Sequence, residues 1–442
     1  MTESVGHSGK GMQLHTKILL GLVVGATLGV LANTQLGGNH AAVAWTHRYV
    51  TGPVGQVFLR MLFMIVMPLV FASISLGVAG LGDLRRVGRV GTRALGYFLV
   101  TTSLAAATGL ALVLLVDPGG ALDPAVKTEL MATFAQDASS RVQASQATGF
   151  GIETFVNIVT RNPVKSAADF DMLGVIFFGL VFGAALTLIP AATAKPMIAV
   201  LEALEAVVIA IVGMAMKLAP YGVTALIFGV TSRFGFALLK PLGGYVVVVL
   251  VALILHVALN LSLILRFLIG VSPLTFVSRV RSAIITAFST SSSSATLPTS
   301  LKVSEERLGL PPQIAGFVLP LGATMNMNGT AIFEGITVIF LCQVFGITLS
   351  LGQMVILVVM AVITAVGAAG VPGGSIPLLV GILTMFGVPG EGIAIVLGVD
   401  RILDMSRTTL NVFGDITATA YVAKSEGLWN ASMVPGEENS RE

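Results

Sequence analysis

The sequence predicts an all-α polytopic membrane protein, and three observations predict this fold class. Hydrophobic residues make up 55% of the 442 residues and charged residues only 11%, against about a quarter charged in soluble domains. Uncharged runs at 61–82, 94–116, 173–194 and 241–265 are each long enough to cross a bilayer. The third observation is a row of charged side chains inside the last hydrophobic segment, 393–423.

The charges of that last segment share one face of a predicted helix. The polar residues recur at i, i+3, i+4, i+7 and i+11, the spacing of a single helical face. They are Asp404, Arg407, Thr408, Asn411 and Asp415, with Asp400 on the same stripe. Each charge at the depth of the hydrocarbon core costs on the order of 2.5–3.5 kcal/mol. We therefore expect this face to line a binding site for small charged solutes; structural ion pairs of Arg407 with Asp400 or Asp404 are the alternative.

The basic residues of the loops predict the orientation. Lys17 precedes the first span and four arginines between 85 and 93 follow the second, and such residues mark cytoplasmic loops. The acidic loop 117–137 is interpreted as external, so the N-terminus is expected inside. Arg233 and Lys240 fit this pattern poorly. Because the basic residues lie in short loops, the net charge of +3 predicts no nucleic-acid partner.

Two segments are predicted as re-entrant hairpins. The apolar run 284–288 is too short to span and leads into the serine-rich stretch 289–298, after which charges return at 302–307. The uncharged stretch 335–390 is too long for one span and is broken at 367–375 by glycine and proline, which stop helices. Non-helical backbone at membrane depth is tolerated where it lines a cavity or is buried in protein.

Between the hairpins, the segment 311–345 is interrupted at 322–330 by asparagine, glycine and threonine. Such residues favour an unwound turn whose carbonyl groups can coordinate a cation. The final third of the chain is thus predicted as hairpin, broken helix, hairpin and polar helix. Paired broken segments are a sequence indication of a transporter's midplane site. The chain has no tandem sequence repeat.

These four elements together resemble the dicarboxylate/amino acid:cation symporter family, the glutamate transporter group. The resemblance is most specific at 291–298, 326–330, 370–373 and 404–415. It implies an elevator-type transporter with eight transmembrane helices and two re-entrant helical hairpins, arranged as inverted repeats. It also implies a homotrimer in the lipid bilayer of the cell inner (cytoplasmic) membrane, with both termini cytoplasmic.

The resemblance divides the chain into scaffold and transport segments. They are a cytoplasmic N-terminal tail (1–16), scaffold helices 1 and 2 (17–81), the third helix, of the transport domain (82–118), an external loop (119–150), scaffold helices 4 and 5 (151–236), the rest of the transport domain (237–426) and a C-terminal tail (427–442). The segment 237–426 would contain helix 6, hairpin 1, broken helix 7, hairpin 2 and helix 8. The second hairpin would be the external gate.

The resemblance also implies roles for individual residues in binding an acidic amino acid. Arg407, helped by Thr330, would hold the side-chain carboxylate, and Asp404 would bind the ammonium group. Asn411 and Ser293 would bind the α-carboxylate. The substrate-binding residues it implies are Ser291, Ser292, Ser293, Thr330, Val371, Pro372, Gly373, Gly374, Ser375, Asp404, Arg407, Thr408 and Asn411.

The chemistry of these residue types agrees with an acidic amino acid. The planar fork of arginine pairs a carboxylate at two points and stays charged. An arginine and an aspartate one turn apart complement a zwitterion with one extra carboxylate, which is glutamate or aspartate. A C4-dicarboxylate would leave Asp404 facing a negative ligand; that substrate class and neutral amino acids are the alternatives.

Two cation sites are implied by the same resemblance. One combines Asp415 with the carbonyl groups of Gly322, Asn326 and Asn411, and the other combines Thr324 with the carbonyl groups of Ala365, Val366 and Ala368. Oxygen ligands with a single carboxylate suit a hard monovalent ion. Co-transported Na⁺, H⁺ or both are expected, and no further cofactor. The single cysteine, Cys342, excludes an internal disulfide and a thiolate metal cluster.

The chain departs from the family pattern in three places. Asn328 stands where sodium-coupled members have aspartate, and Phe98 where a tyrosine is expected near a third sodium site, so that site is not expected to survive. Ser291 and Met405 occupy positions where members carry a second arginine. Glu334 is a lone carboxyl group in a charge-free region. Burial without a fixed partner favours its protonated form, so it is a candidate proton carrier; a hydrogen bond to a neighbouring helix is the alternative.

Two other classes of function are compatible with parts of the pattern. A channel would conduct current without saturable uptake of a substrate. An intramembrane serine hydrolase could use the serine run and His256, but the run has no Gly-x-Ser-x-Gly elbow and no evident base accompanies it.

Overall fold

The computed structural model of the 442-residue chain describes residues 12, 14–38, 40–120, 122, 159–169, 171–237, 239–368 and 370–430. Helices and short connections account for this part of the chain, which contains no β-strand. Most of the predicted external loop 119–150, and most of the two predicted tails, lie outside the described residues.

Six of the described helical stretches are long and apolar enough to cross a membrane. They are Thr16–Leu36, Ala41–Gly80, Arg89–Val116, Ala191–Ala237, Leu239–Ile269 and Pro312–Val344. Three shorter apolar helices accompany them, Gly174–Leu188, Leu351–Gly367 and Ile376–Met385. The predicted class, a polytopic helical membrane protein, is confirmed.

The first half of the chain forms nine helices within the described residues. These are α1 (Leu14–Leu36), α2 (Ala41–Thr46), α3 (Gly52–Phe63), α4 (Val66–Val87), α5 (Arg89–Val116), α6 (Pro163–Ala168), α7 (Met172–Leu188), α8 (Ala191–Phe234) and α9 (Leu239–Leu255). A π-helical turn, His47–Thr51, joins α2 to α3, and two further π turns, His256–Leu261 and Ile264–Ile269, extend α9. The long helix α8 packs along α1, α3 and α4, while α7 packs on α4. These five helices form one packed group.

The second half contains the predicted helix breaks. Its helices are α10 (Pro273–Thr290), α11 (Ser293–Glu306), α12 (Pro312–Met325), α13 (Asn328–Val344), α14 (Leu351–Gly367), α15 (Ile376–Met385), α16 (Ala394–Leu397) and α17 (Asp400–Ser425). We call the pair α10–α11 hairpin 1 and the pair α14–α15 hairpin 2. Helices α12 and α13 are the two halves of the predicted broken helix, separated at Asn326 and Met327.

Local chemistry explains the tip of hairpin 1. Ser291 ends α10 in the left-handed conformation, with φ of 51°, and the Ser292 hydroxyl caps α11 by accepting the N–H of Ala295, a usual device at helix starts. The same hydroxyl donates to the carbonyl of Gly370 in hairpin 2 at 2.6 Å, and the Ser294 N–H donates to that carbonyl at 3.2 Å. The two hairpin tips are therefore joined directly.

The broken helix and α17 lie at the centre of the second half. In the stretch Pro312–Val344, 94% of the most apolar 18-residue window is buried. The corresponding share in Thr16–Leu36 is 22%. Helices α12 and α13 both pack on α17, and α13 also packs on α5. Because α13 is surrounded by protein, polar residues at its start face other protein groups instead of lipid.

Gly329 permits the closest approach of α13 to α17. A Cβ atom at this position would lie 2.8 Å from the Cα atom of Arg407 and would clash with the carbonyl oxygen of the same residue. We predict that Gly329→Ala separates the two helices and lowers the free energy of unfolding by about 1–3 kcal/mol, the usual cost of overpacking. Thermal unfolding of the detergent-solubilised protein measures this effect.

Gly335→Ala is the matched control on the same helix. A Cβ atom there would have its nearest neighbour, the carbonyl oxygen of Ala106, at 3.9 Å, which is an ordinary contact. Alanine favours helix over glycine by up to about 1 kcal/mol, so this variant should unfold at the same or a higher temperature. Equal destabilisation by both substitutions would contradict the proposed role of Gly329.

Candidate functional site

A small cavity lies where the hairpin tips, the break between α12 and α13 and the middle of α17 meet. Its lining is Ser291, Ser293, Met327, Thr330, Ala368, Gly370, Val371, Ser375, Asp404, Arg407, Thr408 and Asn411. The free space is about 20 Å³, room for about one water molecule. The cavity is therefore closed around its polar groups in this conformation.

The lining contains most of the residues predicted to bind the substrate. Four of the predicted residues, Ser292, Pro372, Gly373 and Gly374, are not part of it. Ser292 instead joins the two hairpins, and Gly373 contacts the site through its backbone. Met327 and Gly370 line the cavity without having been predicted to bind substrate. Both stand inside the motifs that drew attention to these segments, but an apolar side chain and a glycine give no chemical signal of their own.

A buried ion cluster includes Asp404 and Arg407, the two charged residues of the cavity lining. The guanidinium group of Arg407 donates through Nη1 to Oδ1 of Asp400 at 2.8 Å and through Nη2 to Oδ1 of Asp404 at 2.9 Å. The other oxygen of Asp404 accepts from Arg401 at 3.4 Å and from the N–H of Gly373 at 3.2 Å. Two arginines thus balance two aspartates, so the cluster carries no net charge.

The predicted ion pairs and the predicted binding face are therefore the same residues. Asp400, Asp404 and Arg407 follow the i, i+4, i+7 stripe read from the sequence, and each has at most 6% of its surface exposed. A carboxylate ligand can bind Arg407 by replacing one of its two aspartate partners. Such an exchange keeps the guanidinium paired throughout, which matters because a lone buried charge is strongly destabilising.

Neighbouring side chains hold the Arg407 guanidinium in place. Its central carbon lies 4.0 Å from the ring centre of Phe333 on α13, a cation–π contact that is stronger away from water. Asn411, one turn further along α17, accepts the N–H of Gly329 at 2.7 Å and donates to the hydroxyl of Thr330 at 3.4 Å. These contacts fix the start of α13 against the polar face of α17.

The residues predicted for the first cation site also lie together. The Asp415 carboxylate is buried and accepts from the amide of Asn326 at 3.0 Å. A Cβ atom on Gly322 would lie 2.6 Å from Oδ1 of Asp415, so the backbone of Gly322 borders the carboxylate. Among the described residues, no arginine, lysine or histidine forms an ion pair with Asp415.

The residues predicted for the second cation site are more spread out. Thr324 is exposed and shares a separate cavity of about 260 Å³ with Val366 and Ala368, whereas Ala365 is buried and outside its lining. The hydroxyl of Thr324 donates to the carbonyl of Leu321 at 3.0 Å. Ala365 and Val366 lie in the last turn of α14, where helix carbonyl groups have no partner within the helix.

Asn328 and Glu334 occupy buried positions near these sites. The side-chain carbonyl of Asn328 accepts from the Thr102 hydroxyl at 2.8 Å, and its amide nitrogen has no hydrogen-bond partner among the described residues. Glu334 is completely buried. One of its oxygens accepts from Thr364 on α14 at 2.6 Å, and the other has no partner in the described chain. The predicted hydrogen bond to a neighbouring helix exists, but it satisfies only one of the two oxygens of the Glu334 carboxyl group.

Comparison with known proteins gives a consistent result. Residues 14–425 match the model of the Sodium:dicarboxylate symporter family. The chain is 35% identical to the proton/glutamate-aspartate symporter of Escherichia coli K12 over 400 residues, 90% of each chain. It is 35% identical to the proton/sodium-glutamate symport protein of Bacillus subtilis 168 over 94% of each chain. It is also 34% identical to the C4-dicarboxylate transport protein of Bacillus subtilis 168, over 85% of this chain and 87% of that protein.

The isolation of Asp415 predicts that a cation stabilises the protein. A buried carboxylate without a counter-charge is costly, and a bound cation adds stability by mass action, about 2.7 kcal/mol at 100 times its Kd. We expect the unfolding temperature of the wild type to rise as sodium chloride replaces choline chloride. Asp415→Asn, which removes the charge, should unfold at a higher temperature without sodium and respond little to it.

Asp171→Asn supplies the control for that experiment, because Asp171 caps α7 and is far from α17 in sequence. This variant should keep the wild-type response to sodium. A sodium-induced shift of the same size in the wild type and in Asp415→Asn would place the cation elsewhere.

Proposed function

Because the chain belongs to the sodium:dicarboxylate symporter family, we propose that it is a secondary active symporter for glutamate and aspartate, coupled to H⁺, Na⁺ or both. The observation that carries the proposal is the buried cluster in which Arg407 lies between Asp400 and Asp404. The relatives named above are transporters and not enzymes. His256 pairs with Asn260 through Nδ1 at 2.9 Å, and its Nε2 has no hydrogen-bond partner among the described residues; with no serine hydroxyl bonded to it, His256 gives no support to a serine hydrolase.

The charge balance of the site favours an acidic amino acid. The cluster is neutral before binding, and glutamate or aspartate brings two carboxylates and one ammonium group. Arg407 can take the side-chain carboxylate if Asp404 turns to the ammonium group, so each charge keeps an opposite neighbour. Asn411 and Ser293 remain for the α-carboxylate.

A C4-dicarboxylate is the second candidate substrate, since a relative of that name is 34% identical to this chain. Identity does not separate the two classes, because the glutamate symporters are only marginally more similar. Asp404 does separate them on physical grounds. A ligand with two carboxylates and no ammonium group would face Asp404 with a like charge, which costs several kcal/mol at short range in a poorly solvated site.

Binding requires hairpin 2 to withdraw. The free space of about 20 Å³ holds no amino acid, and the tip of hairpin 2 closes it through Val371 and Ser375. The polar contacts that would break are few: the bonds from the Ser292 hydroxyl and the Ser294 N–H to the Gly370 carbonyl, and the bond from the Gly373 N–H to Asp404. Hairpin 2 is thus suited to be a gate whose opening exposes the arginine.

The packing is compatible with a moving transport domain and a fixed scaffold. Helices α1, α3, α4, α7 and α8 form one group, and hairpins, broken helix and α17 form another. Helix α4 of the first group packs on α14 and α15 of the second group. The cavity that contains Thr324 lies beside this contact. The proposed architecture is that of an elevator-type transporter with eight transmembrane helices and two re-entrant hairpins. The protein would form a homotrimer in the cytoplasmic membrane, with both termini in the cytoplasm.

Asp415 and Glu334 are the proposed positions of the coupling ions. Both carboxyl groups are buried, and neither forms an ion pair among the described residues. Asp415 has oxygen-bearing neighbours suited to Na⁺, while the unpartnered oxygen of Glu334 can carry a proton. Asn328 replaces a carboxylate by a neutral amide, so it offers no charge for a third cation.

Uptake of labelled aspartate and glutamate into proteoliposomes tests the coupling, with sodium and pH gradients imposed separately. We expect accumulation against the substrate gradient when either or both gradients point inward. Glu334→Gln should abolish the part driven by the pH gradient, because glutamine cannot release a proton, while exchange of internal for external substrate continues.

Glu202→Gln is the control for this variant. Glu202 is an exposed carboxyl group on α8, and it lies outside both the cavity lined by Arg407 and the cavity that contains Thr324. It should keep the wild-type response to the pH gradient. Uptake that ignores both gradients would refute coupled transport altogether.

Arg407→Ala tests the substrate assignment. Removing one partner of a buried charge pair costs roughly 2–5 kcal/mol, so glutamate and aspartate uptake should fall at least about thirtyfold. Uptake of a small neutral amino acid should be spared, because it lacks the carboxylate that Arg407 holds. The measurement is initial uptake rate per amount of folded protein.

Arg401→Ala serves as the control on the same helix. Arg401 also pairs with Asp404 but does not line the cavity, so its loss should affect acidic and neutral substrates alike. Unchanged glutamate uptake by Arg407→Ala would refute the role of Arg407, and a preference of the wild type for succinate over glutamate would favour the C4-dicarboxylate alternative.

A further inference from the structure

A groove between α1 and α8 lies apart from the transport site and has a chemistry of its own. Its volume is about 460 Å³. The lining consists of Met12, Leu14, Lys17, Leu20, Gly21, Val24, Lys217, Pro220, Tyr221 and Thr224. The walls are mostly apolar, and two lysines are the charged members. Neither lysine forms an ion pair within the part of the chain that the structure describes.

The packing of the two helices brings the lysines to the same end of this groove. A Cβ atom on Gly21 would lie 2.6 Å from the carbonyl oxygen of Pro220, and one on Gly25 would lie 2.5 Å from that of Thr224. Residue numbers rise together in both contacts, so the helices are parallel. One turn earlier, the same register pairs Lys17 with Met216, the residue before Lys217, so the two lysines lie at nearly the same level.

The side-chain stripes of the two helices give the groove its walls. Lys17, Gly21 and Val24 follow one another at i, i+4 and i+7 on α1, and Lys217, Tyr221 and Thr224 do so on α8. Residues at this spacing share one helical face. Each wall therefore begins with an ammonium group and continues with smaller or apolar groups, while the exposed Leu20 extends the apolar surface of α1.

The position of Lys17 sets the groove at the edge of the membrane. It is the second residue of the membrane-spanning stretch Thr16–Leu36, so the charged end of the groove lies at the level of lipid headgroups and the apolar end runs toward the acyl chains. Tyr221, 70% exposed, has the amphipathic ring that is enriched at this level. Basic pockets between transmembrane helices are known to receive anionic lipid headgroups.

We propose that this groove binds an anionic phospholipid, with its phosphate between Lys17 and Lys217 and an acyl chain along Leu20 and Val24. The two ammonium groups can each donate to one of the two non-bridging oxygens of a phosphodiester, and the apolar walls match a chain that a free phosphate does not have. A zwitterionic lipid brings its own cation, which the two lysines repel. The site is independent of the transported substrate.

Native mass spectrometry of the full chain in detergent, after reconstitution and re-extraction, measures the lipid that stays bound. The probes are phosphatidylglycerol, phosphatidylcholine and inorganic phosphate. We expect the wild type to retain phosphatidylglycerol selectively. Lys17→Gln with Lys217→Gln should weaken retention about thirtyfold, since each basic residue contributes about fivefold near a charged lipid surface.

Two further double variants separate a specific site from general surface charge. Lys195→Gln with Lys240→Gln removes two exposed lysines outside the groove and should leave retention unchanged. Lys17→Arg with Lys217→Arg keeps both charges and should retain the lipid, so it also protects the test against a folding defect in the glutamine variant.

Three results would overturn the proposal. One is equal retention of phosphatidylglycerol by the wild type and by the Lys17→Gln, Lys217→Gln variant. Another is equal retention of phosphatidylcholine and phosphatidylglycerol by the wild type. The third is displacement of phosphatidylglycerol by millimolar inorganic phosphate with no effect of acyl chain length, which would identify a phosphate site without a lipid.

Discussion

The pairing of Arg407 with Asp400 and Asp404 is the interaction on which the second half of the molecule depends. Three ionised side chains at membrane depth are tolerated because each has an opposite charge within 3 Å of it. That requirement fixes α17 with its polar face inward. It also explains why a broken helix and two hairpins surround α17, since backbone N–H and carbonyl groups are free of helical partners where a helix stops.

The hairpin tips owe their conformation to this cluster and to each other. The Gly373 N–H reaches Asp404, and Ser292 reaches the carbonyl of Gly370, so closing hairpin 2 satisfies groups that would otherwise face the cavity unpaired. The number of such contacts is small, and a ligand carrying its own carboxylate and ammonium groups can replace them. Closure of an empty site and closure over a substrate therefore use the same polar groups in different pairings.

Much of the architecture could be predicted from the chain because hydrophobicity and charge are strong signals in a membrane protein. The apolar runs, the three helix breaks of the second half and the polar stripe from Asp404 to Asp415 all appear where the residues predict them, and the match over residues 14–425 confirms the family resemblance. The internal pairing of Arg407 was open, because spacing places Asp400 and Asp404 equally well as partners or as ligand groups.

Other features depend on contacts that sequence distance hides. In the sequence, Phe333 is one apolar residue among many. Its cation–π contact with Arg407 arises because α13 packs on α17. The level positions of Lys17 and Lys217 follow from a helix pair separated by about two hundred residues in sequence. Arg233 and Lys240, which fitted the orientation rule poorly, remain without a structural reason for their position.

The number of unpaired buried carboxyl groups sets a physical limit on the ions that can be carried. The two arginines of the cluster neutralise Asp400 and Asp404, which leaves Asp415 and Glu334 as the buried carboxyl groups without a fixed cation among the described residues. At Asn328 an amide bonded to Thr102 stands in place of a carboxylate. A third cation would add an uncompensated positive charge inside a nonpolar interior. Under the proposed function, these side chains can therefore balance one metal ion beside Asp415 and one proton on Glu334. The charge of the substrate itself is not included in this count.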